Sequence, residues 1–410
     1  MNILVISQYY YPEQFRVTDI CENLVRLGHQ VTVVAGIPNY PEGEIFEGYE
    51  TSYKKTEIHN GVTIIRCNNK PRHKGIKALA INYLSYVYCA NKVVSKLKGK
   101  FDLIYVYQMS PITMAIPAIK YKKKHKIPMY FYCLDIWPES FRDTNDLKIM
   151  SKMNPIFLLV KSLSKWIYRK ADYIGVKCDE FTDYLVKTCS VKRERCKLLY
   201  EHAESNYLSI SDQVIDNNCI DFMFLGNLGH SSNCLNILKA TEQLKEAMPY
   251  KVHFVGDGSE MENLKSYVVE HSLNDRVVFH GRVPQNEVIQ FYNYADVCLL
   301  TLSNRSEIGL TPPAKLMGYM AASRPILGSI NGASQRIIRD AGCGFITDHD
   351  DVDGLAEYMQ RIVDNPGILN GLGENGREYF LNHFTLEKHM SDLEKQLKDL
   401  IGENKNDTVY

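Results

Sequence analysis

The residues of this 410-residue chain best suited to chemistry lie in Thr311–Pro325, TPPAKLMGYMAASRP. Thr311 is a good N-cap and two prolines are tolerated in a first turn, so the spacing predicts a helix opening at Thr311, with Pro313 and Lys315 near its start. Such an end offers free N–H groups and the positive pole of a helix dipole, and with the Lys315 ammonium it suits a diphosphate. The alternative is a plain surface lysine, because a cation there opposes the dipole. Gly256–Asp257–Gly258 follows an apolar run and lets backbone approach a ligand, although such turns are often only turns. Arg282 follows another strand end and can meet a diphosphate or make a surface ion pair. Asp135 follows the apolar MYFYCL and precedes Ile136-Trp137-Pro138-Glu139. It can orient an acceptor hydroxyl, or cap the next helix. Near the N-terminus, Tyr9, Tyr10, Tyr11, Pro12, Glu13, Phe15 and Arg16 suit a sugar and its linked phosphate, or pack on the domain surface.

These groups need elements that position them. Ile3–Ile6 reads as a strand and Ser7–Gln14 as a loop. Ile20, Leu24 and Leu27 at helical spacing then end at Gly28, and Val31–Ala35 follows as a second strand. This is the start of a parallel sheet, continued by Leu103–Tyr107, Met129–Leu134 and Tyr173–Val176. A second series begins at Ile220, with a helix over Leu235–Leu244 and strands at Val252–Val255, Val277–Phe279, Val297–Thr301 and Pro325–Gly328. The expected fold class is therefore α/β, with two Rossmann-like doubly wound domains facing an inter-domain cleft. We expect domains over 1–200 and 201–385, joined near Glu201–Asn218. Residues 386–410 form a helix that packs back on the first domain, frayed from Gly402.

The 48 basic and 48 acidic side chains cancel, which argues against a nucleic-acid binder. The cancellation hides a split: residues 1–200 hold 31 Lys+Arg against 18 Asp+Glu, and residues 201–410 hold 17 against 30. Eleven cysteines without a CxxC pair, and an N-terminus that runs directly into a strand, predict a reduced cytoplasmic protein. The longest uncharged run, Leu103–Ile119, is 17 residues and is broken by Pro111 and Pro117, too short to span a bilayer. Lys70–Lys100 is basic at both ends with an uncharged, aromatic centre. It reads as a buried helix or as an interfacial helix on anionic lipid, with the lysines of Lys120–Lys126 adding charge. DHDDVD at Asp348–Asp353 contains Asp-x-Asp patterns that elsewhere bind divalent metal. Between a strand and a helix it reads here as a cap, and no metal site is expected.

Eight motifs, in order, carry a resemblance: SQYYYPEQFR, PNYPEG, DIWPES, IYRKAD, FLGNLG, FVGDGSE, GRVP and PAKLMGYMAASRPI. Together they resemble the family-4 glycosyltransferases, most closely the WbuB-like and colanic-acid-type group. The resemblance implies a GT-B fold, transfer with retention and without metal, a nucleotide-sugar donor in the C-terminal domain and an acceptor on the N-terminal one. It implies donor contacts at Gly226, Asn227, Gly256, Asp257, Gly258, Arg282, Val283, Thr311 and Pro313. Tyr11, Glu13, Phe15, Arg16, His73 and Lys74 would meet the acceptor, and Asp135, Lys315 and Glu307 would serve catalysis. The chain also departs from the family. Its Glu-x7-Glu pair falls on Leu310 and Gly318, and the usual Arg and Lys of the first C-domain loop are Asn227 and Ser232. Glu307 can replace a lost carboxylate or belong to a solvated loop.

The expected function is a retaining transferase moving a hexosyl or N-acetylhexosaminyl group. The donor is a nucleotide-sugar, UDP before GDP. The acceptor is a lipid-diphosphate-linked saccharide of capsule, O-antigen or exopolysaccharide synthesis. No cofactor is expected, and the basic domain would sit on the anionic inner face of the cell membrane. The alternatives are a nucleotide-sugar 2-epimerase on the same architecture, or a non-catalytic partner protein.

Overall fold

The computed structural model describes residues 1–50, 56–73, 75–140, 154–212, 214, 217–245, 248–303 and 311–407. The chain divides into two compact units, Met1–Leu199 with Met390–Tyr410, and Tyr200–His389. The polypeptide enters the second unit at Tyr200 and leaves it within the helix Leu386–Asp407. That helix runs on to Asp407, so the frayed tail expected from Gly402 is helical for six residues more.

The first unit is built on strands β1 Asn2–Ile6, β2 Gln30–Ala35, β3 Thr56–His59, β4 Val62–Arg66, β5 Leu103–Gln108, β6 Met129–Cys133, β7 Tyr173–Val176 and β8 Cys196–Leu198. Their order is β3-β4-β2-β1-β5-β6-β7-β8, and only the β3–β4 hairpin is antiparallel. Strand β1 lies between β2 and β5, with Ile3 opposite Val31 on one side and Leu103 on the other. Ile3, Leu4, Val5 and Ile6 are fully buried, because helices cover both faces of a parallel sheet. The sheet's order therefore reverses between β1 and β5, the place where open α/β sheets leave a crevice.

The second unit carries β9 Ile220–Leu225, β10 Tyr250–Val255, β11 Val277–Gly281, β12 Val297–Thr301, β13 Ile326–Ser329 and β14 Gly344–Thr347. They run parallel in the order β11-β10-β9-β12-β13-β14, so here the reversal falls between β9 and β12. Along β9 the side chains alternate, Phe222 and Phe224 entering one apolar core and Met223 and Leu225 the other. Arg324 is wholly buried beneath this sheet and donates to the carbonyls of Tyr292, Ser211 and Asp212. Its charge is spent on loop backbone, which explains why an arginine is tolerated in a core.

Asp351 is the N-cap of the helix Val352–Asp364, and its carboxylate accepts from the Gly354 amide at 2.9 Å. Asp350 accepts from Asn233 and Asn236. The DHDDVD run thus works as a cap and a loop tie. Asp351→Ala should lower the stability of the second unit by about 1 kcal/mol, as lost caps do, read as a drop in its thermal melting midpoint.

Candidate functional site

Three neighbouring strands of the second unit end together, and glycine is what allows it. β9 runs into Gly226 at φ +139° and β10 into Gly256 at φ +144°, conformations that L side chains rarely adopt. A Cβ on Gly256 would stand 1.9 Å from the Gly226 carbonyl oxygen, and one on Gly258 2.4 Å from the Leu228 carbonyl carbon. Backbone therefore touches backbone. Hydrogen bonds hold the stack: the amide of Gly226 donates to Val255, that of Gly256 to Gly281, and that of Leu228 to Asp257. The Asp257 carboxylate accepts from the Gly258 amide at 2.7 Å, which tightens the turn.

An open pocket of about 540 Å³ remains above these ends, lined by Gly226, Asn227, Gly256, Asp257, Gly258 and Arg282. Six of the expected donor contacts are thus gathered in one place. Lys315 belongs to the same corner. It is the second residue of the helix Ala314–Ala321 that follows β12, and its Nζ lies 3.8 Å from the centre of the Phe224 ring. Its Cε and Nζ are 3.2 Å from where a Gly226 Cβ would be. The stem is half-exposed, but the ammonium is enclosed and, among the described residues, finds no acceptor to donate to. Burial lowers its pKa to about 8, against which the nearby Cys234 thiol acts weakly.

One expectation is corrected here. Thr311 is not the N-cap: Pro313 holds that position in extended conformation, without a side-chain acceptor. A residue before proline is pushed out of the helical region, so Thr311 and Pro312 both delay the start. Gly318, where the family has its second glutamate, is closely surrounded. A Cβ there would lie 3.2 Å from the Tyr292 hydroxyl and 3.5 Å from the Tyr207 ring. Val283 is partly buried against the apolar core on the Met223 side of the sheet. Glu307 and Leu310 lie outside the described residues, as does Lys74.

In the first unit the loops after β1, β2, β5 and β6 each contain a cis X-Pro bond, at Pro12, Pro41, Pro111 and Pro138. Tyr9, Phe15 and Tyr40 form an aromatic cluster there, with ring centres 5.2 to 5.6 Å apart. The Arg72 guanidinium lies 5.3 Å over Tyr40. Tyr83, from the helix Ile76–Lys96, meets Trp137 edge-on at 6.4 Å, and Asp135, half-buried, is close enough to both Tyr83 and Cys133 to repel their ionised forms. Trp137 is fixed by its indole N–H donating to Ser110 at 2.7 Å. Glu139 pairs with Lys161.

Glu13 does not face a ligand. Its carboxylate is buried and accepts from the amides of Asn39 and Tyr40 at 2.9 Å and of Tyr10 at 3.2 Å. Burial raises its pKa and the three amides oppose that. It is the tie between the β1 and β2 loops, and through them it sets Tyr9 and Tyr40. Tyr11 is occupied in stacking on His59 at 3.5 Å, Phe15 and Arg16 are half-exposed, and His73 is exposed. Arg72, Tyr40 and Tyr83 were not singled out by sequence. Tyr40 sits inside PNYPEG and Arg72 inside the basic flank, so motif membership was the available signal.

Residues 14–201 match the model of glycosyltransferase family 4, and residues 209–379 match that of glycosyl transferases group 1. Between them the two models span most of the chain, and together with the fold they support a glycosyltransferase of GT-B fold. It is 26% identical over 404 residues to an uncharacterized glycosyltransferase of Methanocaldococcus jannaschii, covering 98% of this chain and 99% of that one. It is also 26% identical over 218 residues to N-acetyl-α-D-glucosaminyl L-malate synthase of Bacillus anthracis. That match takes in 53% of this chain and about half, 52%, of the synthase's length. HepE of Anabaena, solved in complex with UDP, superposes with a TM-score of 0.67 at 12% identity, covering 97% of this chain and 99% of that one.

Removing the Glu13 tie tests its assigned role. Glu13→Ala should destabilise the first unit by about 1–3 kcal/mol, the range for stranding buried amides, and leave nucleotide affinity unchanged. Thermal melting followed beside nucleotide titration separates the two effects.

Proposed function

We propose that this glycosyltransferase moves a hexosyl or N-acetylhexosaminyl group, with retention, from a UDP-sugar to a lipid-diphosphate-linked saccharide at the inner face of a cell membrane. The product would belong to a surface polysaccharide, as the resemblance to colanic-acid-type enzymes suggests. The observation that carries the donor half is the Lys315 ammonium, enclosed without an acceptor among the described residues, beside a glycine-walled pocket that also receives Arg282. Two cations and close backbone suit a diphosphate. The Asp257 carboxylate suits a hydroxyl, of ribose or of the transferred sugar. UDP is favoured over GDP by the ligand of HepE.

In the transfer the bond between the anomeric carbon and the diphosphate oxygen breaks, and a bond from the acceptor hydroxyl to the same carbon forms on the same face. The acceptor proton passes to the leaving phosphate. Charge grows on that phosphate as the bond breaks, so Lys315 and Arg282 stabilise the transition state more than the ground state. Asp135 orients the acceptor hydroxyl, and the aromatic rings around Arg72 receive the saccharide and its phosphate. The basic balance of residues 1–200 supports an anionic acceptor and membrane.

Nucleotide-sugars incubated with lipid-diphosphate saccharides and followed by mass spectrometry test the reading. The expected result is a mass gain of one sugar on the acceptor. Conversion of a UDP-sugar without acceptor, with deuterium uptake from solvent, would replace it by an epimerase. Lys315→Ala should cut turnover by about 10²-fold or more, the scale of one oxyanion contact, with the fold intact.

A pH effect follows from the same lysine. With its pKa lowered to about 8, the ammonium is charged below that pH and neutral above it. UDP affinity should therefore fall as pH rises from 7 to above 8, as one cation is withdrawn from the diphosphate. Calorimetric titrations should show this decline in the wild type and its absence in Lys315→Met.

A further inference from the structure

Two helices of the first unit carry large apolar side chains on their outward faces as well as on their buried ones. In Ile76–Lys96 the buried face includes Asn82, while Ile81, Leu84 and Tyr88 stand in solvent, Leu84 at 66%. In Pro155–Tyr168 the buried face includes Ser164, while Ile156, Leu159 and Trp166 are exposed, Leu159 at 72%. The exposed positions recur at helical spacing, 77, 81, 84, 88 and 92 on the first helix and 159, 162, 166 and 169 or 170 on the second, so each forms one stripe. Both helices pack on the same short turn, Ile112–Ala115, and Trp137 joins them, touching Tyr83 on one and the Tyr168 hydroxyl on the other. The two helices are neighbours.

Along the two stretches of chain that carry them, the charges are of one sign. Residues 58–101 contain nine Lys or Arg and no Asp or Glu, and residues 147–171 contain six and none. Lys77 and Lys92 close the ends of the first stripe, and Arg169 and Lys170 close one end of the second. Lys92 lies 4.2 Å over the Tyr88 ring and Lys170 5.6 Å over the Trp166 ring. Aromatic rings topped by cations at the margin of an apolar stripe are the arrangement of a headgroup boundary. Among the described residues no helix is long and apolar enough to cross a membrane.

We propose that these two exposed stripes form a single docking surface that adsorbs to an anionic phospholipid bilayer, with Leu84, Tyr88, Leu159 and Trp166 entering the headgroup boundary. The proposal rests on the reading of the first unit as the side that takes a lipid-linked acceptor, and it names the surface by which that unit reaches the lipid. Charge selects the occupant. A second copy docked by the same face would bring lysines against lysines with no carboxylate on either helix, whereas an anionic leaflet satisfies the apolar and cationic parts together.

Flotation of the full-length protein with vesicles of phosphatidylcholine alone, or mixed with phosphatidylglycerol, tests this. The protein should bind only the mixed vesicles and leave them at high salt, where screening shortens from about 10 Å at 0.1 M to about 3 Å at 1 M. Leu84→Glu and Leu159→Glu should each weaken binding by about tenfold or more, since each places a charge in the boundary. Leu381→Glu, at an exposed leucine of the second unit, should change nothing. Unaltered melting curves would certify the folds of the variants. No binding to mixed vesicles, or undiminished binding by the Leu84→Glu/Leu159→Glu double variant, would overturn the surface. So would sedimentation showing a dimer that Leu159→Glu disperses without affecting vesicle binding. Titration with UDP keeps the two readings apart. UDP binding without vesicle binding sinks the surface alone. Vesicle binding without UDP binding sinks the transferase and leaves the surface standing.

Discussion

An ammonium has been taken out of water in this protein and given no counter-ion among the described residues. Lys315 Nζ rests on the face of Phe224 with no acceptor among the described residues, and burial has already pulled its pKa to about 8. A ring quadrupole returns about 0.5–2 kcal/mol, less than the hydration given up. The rest of the corner follows from keeping that charge where it is. Gly226 carries no side chain because a Cβ would lie against Lys315, and Gly256 carries none because it would strike Gly226. Phe224 alternates with Leu225 so that its ring, and not a polar group, supports the cation from the core side. What remains open beside the lysine is the pocket, and an anion entering it would supply the missing partner.

The two sheets use the same topology for different ends. In each, the order reverses beside the first strand, between β1 and β5 and between β9 and β12. In the second unit the strand ends are glycines, which bring backbone to the ligand and suit a diphosphate. In the first unit they give way to Tyr9, Tyr40 and Trp137 on loops carrying cis prolines, with Arg72 laid over an aromatic face. Bare backbone favours anions through N–H groups. Aromatic faces favour the C–H surfaces of sugars, and a guanidinium among them favours an attached phosphate. On the proposed reading, the division of labour between donor and acceptor follows from what each sheet places at its carboxyl edge.

Legibility in the sequence followed the range of the interactions. Every parallel strand with an uninterrupted apolar run was readable, because burial on both faces leaves a local mark. The β3–β4 hairpin Thr56–Arg66 was missed, since its mixed pattern TEIHNGVTIIR places Glu57 and Arg66 where they pair with each other across the turn. GDG and Arg282 were found by position after strands. Glu13 was misread because its partners are backbone amides, two of them on another loop 26 and 27 residues onward, and no spacing rule reports a carboxylate that binds peptide groups. Thr311 was misplaced because capping preference was weighed without the restriction that a following proline imposes. Arg72 was counted as one cation in a basic flank, and only the fold shows that it alone is laid on Tyr40.

Zero net charge conceals how these parts are kept apart. The first unit's excess of basic groups is partly spent on helices that carry no carboxylate and expose leucine, tryptophan and tyrosine between their lysines. Packing accounts for the buried polar groups, since Asn82 bonds Gln8 and the Lys70 carbonyl and Ser164 the Val160 carbonyl, but it gives no reason for Leu84 and Leu159 to stand outward. The second unit has the opposite excess, and there the acidic side chains fall in caps and loop ties such as Asp350 and Asp351 or in exposed ion pairs such as Glu262 with Lys265. On the proposed reading, an acidic excess in a unit whose pocket cations are Lys315 and Arg282 concentrates attraction for a diphosphate at the pocket and opposes contact of that unit with an anionic bilayer. The split in charge would then give each unit one place to bind anions and discourage binding elsewhere, a selectivity that neither a uniformly basic nor a uniformly neutral chain would have.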